Sequence, residues 1–316
     1  MTLTELRYIV AVAREKHFGH AAEKCFVSQP TLSIAIKKLE EELGVALFER
    51  SATEVRVTDV GSRVIEQAQR VLEEASAIQQ IAAAGKDELA TPLRFGTIYT
   101  VGPYVTPQLI PLLKKRAPRM PLLIQENYTA KLGEMLKSGE VDLILLSDPF
   151  SEAGIVTQAI YDEPFRVVMP ATHAWAKKAR INAGDLCSEK LLLLSSGNCF
   201  RDQLLETCVN ARSGKDGSST NLQQSLEGSS LETIRQMVAS GVGITALPST
   251  AAQSRTADTK LTVTRNFTSP EPSRRIVLAW RRSFPRMRAV QAVQQALLAC
   301  KLPGVTLLPR EKPIAH

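Results

Sequence analysis

Apolar positions in the first 58 residues recur at helical spacing in three short runs. Leu3, Leu6, Tyr8, Ile9, Val10 and Val12 fit a first helix. His17-Phe18-Gly19 reads as a break, after which Ala21, Ala22 and Cys25 fit a short second helix. Val27-Ser28-Gln29-Pro30 reads as a turn, with Ser28 as N-cap and Pro30 near the first helical position. Leu32, Ile34, Ile36 and Leu39 run through a third helix that ends near Leu43-Gly44, where glycine suits the position after the helix. Val45–Phe48 and Glu54–Val57 then alternate like two short strands around a tip at Ser51-Ala52-Thr53.

From Thr58-Asp59 to near Gly85 the pattern predicts one long helix. Val64, Val71 and Ile78 recur every seven residues, and Ala68, Ala75 and Ala82 form a second such series offset by four. Two apolar columns sustained for three repeats are the mark of a helix that pairs with another helix, so this segment is expected to dimerise. After Thr91-Pro92 strands and helices alternate. Strands are expected at Leu93–Ile98, Leu122–Glu126, Val141–Leu146, Phe165–Met169, Leu191–Leu194, Ile244–Leu247 and Ile276–Trp280, with helices at 104–116, 130–138, 200–210, 230–240 and 286–300. This predicts two α/β lobes whose helices cover a largely parallel sheet. Segments 211–226 and 250–272 read as loops. The domain limits implied are 1–58, 59–90, 91–303 and a tail of 304–316.

A chain of 316 residues with 44% apolar content fits several compact units. No apolar stretch reaches the roughly 18 residues that cross a bilayer, and Met1–Arg7 carries no export signal. A cytoplasmic protein without a membrane partner is expected. Its five cysteines are then reduced by default. The net charge of +7 does not mark the N-terminal unit, because residues 1–65 hold nine Lys/Arg and nine Asp/Glu. The excess lies in Arg274, Arg275, Arg281, Arg282, Arg286 and Arg288, which read as a solvated strand edge and helix face.

The first 60 residues spell a helix-turn-helix with a β wing. Gln29, Thr31 and Ser33 place small polar groups at the start of the third helix, where they suit a major groove, and Gln29 can address adenine through two hydrogen bonds. Ser28 is counted among the DNA-binding residues, Lys37 and Lys38 are placed to meet DNA backbone further along, and Arg50 on the wing to enter a minor groove or grip phosphate. Glu40, Glu41 and Glu42 are expected to lie beyond the duplex. His17, His20, His173 and His316 lack metal-ligand spacing, Gly241-Val242-Gly243 is too short for a phosphate loop, and no catalytic triad is visible. No metal, cofactor or enzymatic activity is expected.

Cys199 and Cys208 stand out because the segment between them reads as a helix. Nine rises of ~1.5 Å would hold their Cα atoms roughly 13 Å apart. A disulfide spans only about 4.4–6.8 Å. Bonding the pair would therefore unwind the segment. Cys25 reads as core, and Cys187 and Cys300 have no motif around them.

Phe18-Gly19-His20-Ala21-Ala22-Glu23-Lys24-Cys25-Phe26-Val27-Ser28-Gln29-Pro30-Thr31-Leu32-Ser33, with Lys38-Leu39-Glu40 and Leu43 to Arg50, resembles the LysR-type transcriptional regulators. The resemblance covers the chain to about Pro303. It implies a winged helix-turn-helix, a dimerising linker helix and a two-lobed effector domain like that of periplasmic binding proteins. Thr100 to Tyr104, Gly197 to Gln203, Cys208 and Ser229 to Ile234 are similar to the peroxide-sensing members of that family. This likeness implies that Cys199 is the peroxide-reactive thiol and Cys208 its resolving partner. It implies a peroxide pocket of Thr100, Thr129, Asn198, Arg201, Asp202 and Arg274, with Arg275 as the alternative to Arg274. Those members commonly carry His before the reactive Cys; here it is Asn198, which can donate and accept hydrogen bonds but cannot titrate.

Thiolate, not thiol, attacks peroxide. A helix N-terminus with Arg201 and Arg274 nearby would favour that anion. The implied partners are promoter DNA, hydrogen peroxide, further copies of the chain in a homodimer and homotetramer, and RNA polymerase. Two rival readings are a LysR-type regulator that answers to a small organic ligand between the lobes, with inert cysteines, and a thiol peroxidase.

Overall fold

The computed structural model describes residues 1–50, 55–84, 87–212, 226–253, 260–308 and 314–315. The chain forms two compact units. In the first, built on Met1–Gly85, helix α1 (Leu3–Glu15) starts in a capping box between Thr2 and Glu5. The expected break at residues 17–19 is instead the start of α2 (Phe18–Lys24), with the His17 ring nitrogen accepting from the His20 N–H. Phe26, in the following turn, is 96% exposed at φ 57. Ser28 caps α3 (Gln29–Leu43) by accepting from the Thr31 N–H, Pro30 sits in the first turn, and Gly44 ends the helix at φ 68.

Leu32, Ile36 and Leu39 of α3 enter a core with Leu6, Ile9, Val12 and Ala21. Ile34 departs from the apolar series, being 70% exposed. Two residues from both Leu32 and Ile36, it points roughly 200° away from them round the helix. Strands β1 (Phe48–Arg50) and β2 (Val55–Val57) pair antiparallel as the wing, while the tip at 51–54 lies outside the described residues. Glu40 holds the wing's entry by accepting from the Leu47 and Phe48 N–H groups.

Helix α4 (Asp59–Ala84) corrects the heptad expectation. Its first turns cover α1, so Ala68 lies in the unit's own core and Val64 packs against it. Val71 and Ile78 remain exposed, with Ala75 half-buried between them in a shallow apolar groove flanked by Gln67, Arg70 and Glu74. The seam is therefore divided: its start serves the unit's own fold and only its later turns are free to meet another helix. Gly61 is required at the start of α4, since a Cβ there would stand 2.2 Å from the Leu47 carbonyl oxygen.

The second unit comprises Lys86–Leu136 and Glu140–His316. Along the chain it contains β3 (Leu93–Ile98), α5 (Gly102–Arg116), β4 (Leu122–Asn127), α6 (Thr129–Lys137) and β5 (Leu143–Ser147). The 16-residue β6 (Ile155–Pro170) follows, then β7 (Arg180–Ile181), β8 (Leu192–Leu194), α7 (Cys199–Arg212) and β9 (Leu226–Gly228). The remainder holds α8 (Leu231–Ala239), β10 (Thr245–Pro248), α9 (Ser249–Ala252), β11 (Thr262–Phe267), β12 (Ser273–Arg281) and α10 (Met287–Leu298).

The sheet is mixed rather than largely parallel. β3 pairs parallel with β4 and β5, but β12 runs antiparallel to β5 and to β6, and β10 and β11 run antiparallel to β6. The reason is β6. Its first part, to Pro164, pairs with β12 in one lobe, and its last part, from Phe165, pairs with β10 and β11 in the other. Strand β11 lies within the stretch read as a loop at 250–272, because Thr262–Phe267 is mostly polar and half-buried, with Phe267 alone in the core, and is held as a strand by distant pairing with β6 and β7. Two separate cores result. One holds Phe95, Leu109, Leu145, Leu278 and Val293; the other holds Phe165, Leu193, Phe200, Leu204, Cys208 and Leu247.

Candidate functional site

Cys199 is the first residue of α7, and Cys208 lies on the same helix. Nine positions are ~2.5 helical turns, which puts the two side chains on opposite faces. Phe200, Leu204 and Cys208, at i, i+4 and i+8, form the stripe that α7 buries in the second lobe's core. Cys199 is half-buried and packs instead against the core of the first lobe. All five cysteines are free thiols. Cys199 and Cys208 are thus separated by helix geometry and by the cores they enter. The sequence reading of a helix between them agrees with this placement.

Three other thiols differ in surroundings. Burial pushes the Cys300 thiol up to about 11 and raises that of Cys25. Cys187 is buried in the second lobe. Cys25 caps the end of α2 and is only half-buried, so it borders the core rather than filling it.

Where the two lobes meet, β6 and β12 bring charge inside. Arg274 and Glu163 are cross-strand neighbours, with Nε to Oε2 at 2.9 Å, and both side chains are fully buried. Arg274 also donates from Nη1 to Thr100 Oγ1 at 2.8 Å and from Nη2 to the Thr100 carbonyl at 2.9 Å. Its guanidinium carbon lies 5.4 Å from the centre of the Phe200 ring. Glu163 further accepts from the Thr250 N–H and hydroxyl. The buried pair therefore ties Thr100 of the first lobe to Thr250 of the second and touches the residue beside Cys199. Arg275 alternates to the other side of the strand, where it pairs exposed with Asp162. Of the two adjacent arginines, Arg274 is the one buried between the lobes.

The remaining expected pocket residues divide. Thr129, at the start of α6, has a buried hydroxyl with no hydrogen-bond partner in the structure. Tyr128 beside it lies 3.7 Å from where a Cβ on Gly197 would stand, so the start of α6 and the loop before Cys199 are neighbours. Asn198 is buried and donates to the Ser195 carbonyl at 3.0 Å. Arg201 is engaged elsewhere, donating to the Leu194 carbonyl at 2.8 Å and pairing with Glu227 at 2.7 Å. Asp202 is exposed. The structure therefore corrects the expected pocket. Arg201 is held by β8 and β9, and Asp202 points to water because it lies two positions, roughly 200°, from the buried Phe200.

Two residues were absent from the expected set. Gln203, one turn after Cys199, donates from Nε2 to Ser147 Oγ at 2.8 Å, and its Oε1 is buried without a partner. The spacing i, i+4 from Cys199 was the available signal. Glu163 lies in the half of β6 that the hydrophobic pattern did not mark as strand, and nothing local pairs it with a residue 111 positions away.

On α3, Gln29, Thr31, Lys37 and Lys38 are exposed and Ser33 is half-buried. Ser28 is committed to its cap and to the Thr31 hydroxyl at 2.8 Å. Arg50 ends β1, and its side chain lies outside the described residues. The acidic run is partly used up in the fold: Glu40 holds the wing, and Glu42 accepts from the N-terminal ammonium at 2.8 Å.

Residues 3–62 match the bacterial regulatory helix-turn-helix protein, lysR family, and residues 86–300 match the LysR substrate binding domain. A hydrogen peroxide-inducible genes activator of Dickeya chrysanthemi is 39% identical over 286 residues, covering 90% of this chain and 91% of that protein. A full-length cysteine-to-aspartate variant of OxyR from Pseudomonas aeruginosa is 49% identical, with a TM-score of 0.72 over 97% of this chain and 98% of that one. A peroxide-bound cysteine variant of OxyR from Corynebacterium glutamicum is 32% identical, with a TM-score of 0.61 over 94% and 91% of the two chains.

Proposed function

The chain belongs to the LysR family of bacterial helix-turn-helix regulators, and on that premise we propose that it is a peroxide-sensing transcriptional regulator switched by a reversible Cys199–Cys208 disulfide. The observation that carries this reading is the placement of the two thiols on one intact helix but in two different cores. The Cys199 thiolate attacks one oxygen of hydrogen peroxide, the O–O bond breaks, and the second oxygen leaves as water after protonation. Cys199 becomes a sulfenic acid. Cys208 then attacks that sulfur, the S–O bond breaks, a second water leaves and the disulfide forms. One peroxide is consumed and two thiols are oxidised.

Around the attack, Thr129 offers a buried hydroxyl with no other partner, and Arg274 and Thr100 offer fixed polar atoms. Asn198 stands where a titrating imidazole would otherwise be. Cys208 cannot reach Cys199 while α7 holds, because ~13 Å must shrink to a bonding distance of about 4.4–6.8 Å. Removing Phe200 and Leu204 from the core would cost roughly 3–6 kcal/mol at about 1.5–3 kcal/mol per side chain. The reduced fold is therefore the resting one, and reduction of the disulfide restores it.

The reading extends to partners. Gln29, Thr31 and Ser33 face the major groove of promoter DNA, Lys37, Lys38 and Arg50 meet phosphates, and Val71, Ala75 and Ile78 pair with a second copy. Two such dimers form the tetramer, whose DNA-binding units change spacing on oxidation and so present a different surface to RNA polymerase. It acts in the cytoplasm, where thiols are kept reduced; no described helix is long and apolar enough to cross a membrane.

Gln29→Ala should cost ~1–3 kcal/mol for a specific site and relax base selectivity, whereas Arg50→Ala should weaken all duplexes evenly and flatten the salt dependence. Fluorescence titrations at several salt concentrations decide this, and unchanged binding by both variants would rule out the docking. Val71→Glu should bury a charge beside its own copy and break the dimer, as read by analytical ultracentrifugation. A Val71→Glu protein that sediments as wild type would contradict the pairing.

A further inference from the structure

The exposed face of α3 carries an apolar row beside its polar one. Pro30 is exposed and Ile34 is 70% exposed, while the other apolar residues between 27 and 39 (Val27, Leu32, Ala35, Ile36 and Leu39) pack in or against the core. Pro30 and Ile34 are four positions apart, so they lie on one face of the helix. Gln29, Ser33 and Lys37 form the adjoining row by the same spacing.

A lone exposed isoleucine is ordinary on a protein surface. Ile34 differs in its place, one turn into the helix and flanked by the residues read as base contacts. Phosphates and sugars give such a side chain little to gain. The major groove presents one prominent apolar group, the C5-methyl of thymine. A β-branched side chain has few rotamers to lose, so its contact is preformed.

We propose that Ile34, backed by Pro30, reads thymine methyl groups in the major groove and is a specificity-determining residue of this regulator. This rests on the docking of α3 in that groove. It adds a base preference that the polar side chains do not supply. Gln29 addresses adenine through hydrogen bonds, whereas Ile34 selects for a methyl, which cytosine lacks and uracil lacks while keeping the same pairing edge.

The test begins with the full-length reduced protein and a randomised duplex library, from which binding sites are selected. The best duplex is then resynthesised with uracil in place of each thymine in turn. Wild type should lose about fourfold in affinity for each contacted methyl, the fold-change that burying one such carbon supports. Ile34→Ala should be indifferent to those same replacements, and its selected sites should lose the thymine preference at those positions. Because Ile34 is exposed and alanine is the better helix former, the variant should fold as wild type. Indifference of the wild type to uracil at every position would overturn the proposal, and so would an Ile34→Ala protein that keeps the sensitivity. Failure to select any duplex would instead overturn the docking on which it rests, which separates the two.

Discussion

Cys199→Ser should abolish the response to peroxide altogether. A serine hydroxyl does not ionise near neutral pH and cannot form a disulfide, so neither step of the switch has a starting group. The variant should keep α7 intact, since Cys199 is half-buried at the first helical position and serine differs little in size. Its DNA footprint should match that of the reduced wild type at any peroxide concentration. Cys208→Ser should behave differently. It retains the attacking thiol, consumes one peroxide and stops at sulfenic acid or a mixed disulfide with an added thiol. Its footprint should therefore not reach the oxidised form. Footprinting and intact-mass measurement on the same samples distinguish the two variants. A Cys199→Ser protein that still changes its footprint would favour the rival reading of an organic ligand between the lobes. Sustained turnover of peroxide with a thiol reductant would favour the peroxidase.

The second large effect concerns the charges between the lobes. Arg274→Met should destabilise the protein by about 3–5 kcal/mol, because it leaves the Glu163 carboxylate buried without its counter-ion. For a unit of this size that is roughly 6–20 °C in midpoint temperature. The double variant Arg274→Met, Glu163→Gln should recover most of the loss, since a neutral amide can keep the bond from Thr250 and no charge is stranded. Thermal unfolding of the three proteins gives the comparison. Equal destabilisation by the single and double variants would mean that the ion pair is not what holds these strands. The same substitutions should slow the thiol reaction, because Arg274 fixes Thr100 and lies against Phe200 beside Cys199.

The legible parts of this chain are those in which local pattern and tertiary demand agree. The capped start of α3, its glycine end and the helix carrying both reactive thiols follow from spacing and end signals alone. The exceptions have identifiable causes. Ile34 broke the apolar series because it lies two positions from both Leu32 and Ile36 and so points away from the core they enter. Val64 and Ala68 kept the heptad period but serve the core at α1, since periodicity marks a stripe and not what covers it. Strand β6 was half missed because a crossing strand is paired by partners more than 70 residues away, and its polar Thr157, Gln158 and Glu163 are buried, so polarity along it does not mark a solvent face. For the same reason Glu163 was invisible and Arg274 could not be told from Arg275. Strand alternation decides between those two arginines, but only once the register with Asp162 and Glu163 is known.

The central claim is that oxidation must dismantle the helix between the two thiols. Hydrogen exchange over residues 199–208, read by mass spectrometry together with disulfide mapping before and after one equivalent of peroxide, tests it most directly. In the reduced protein the backbone amides of this segment beyond the first turn should be protected. After oxidation a Cys199–Cys208 disulfide should be recovered, and protection across the segment should fall, returning when the disulfide is reduced. A recovered disulfide with unchanged protection from 199 to 208, or full oxidation that leaves both thiols free, would contradict the account.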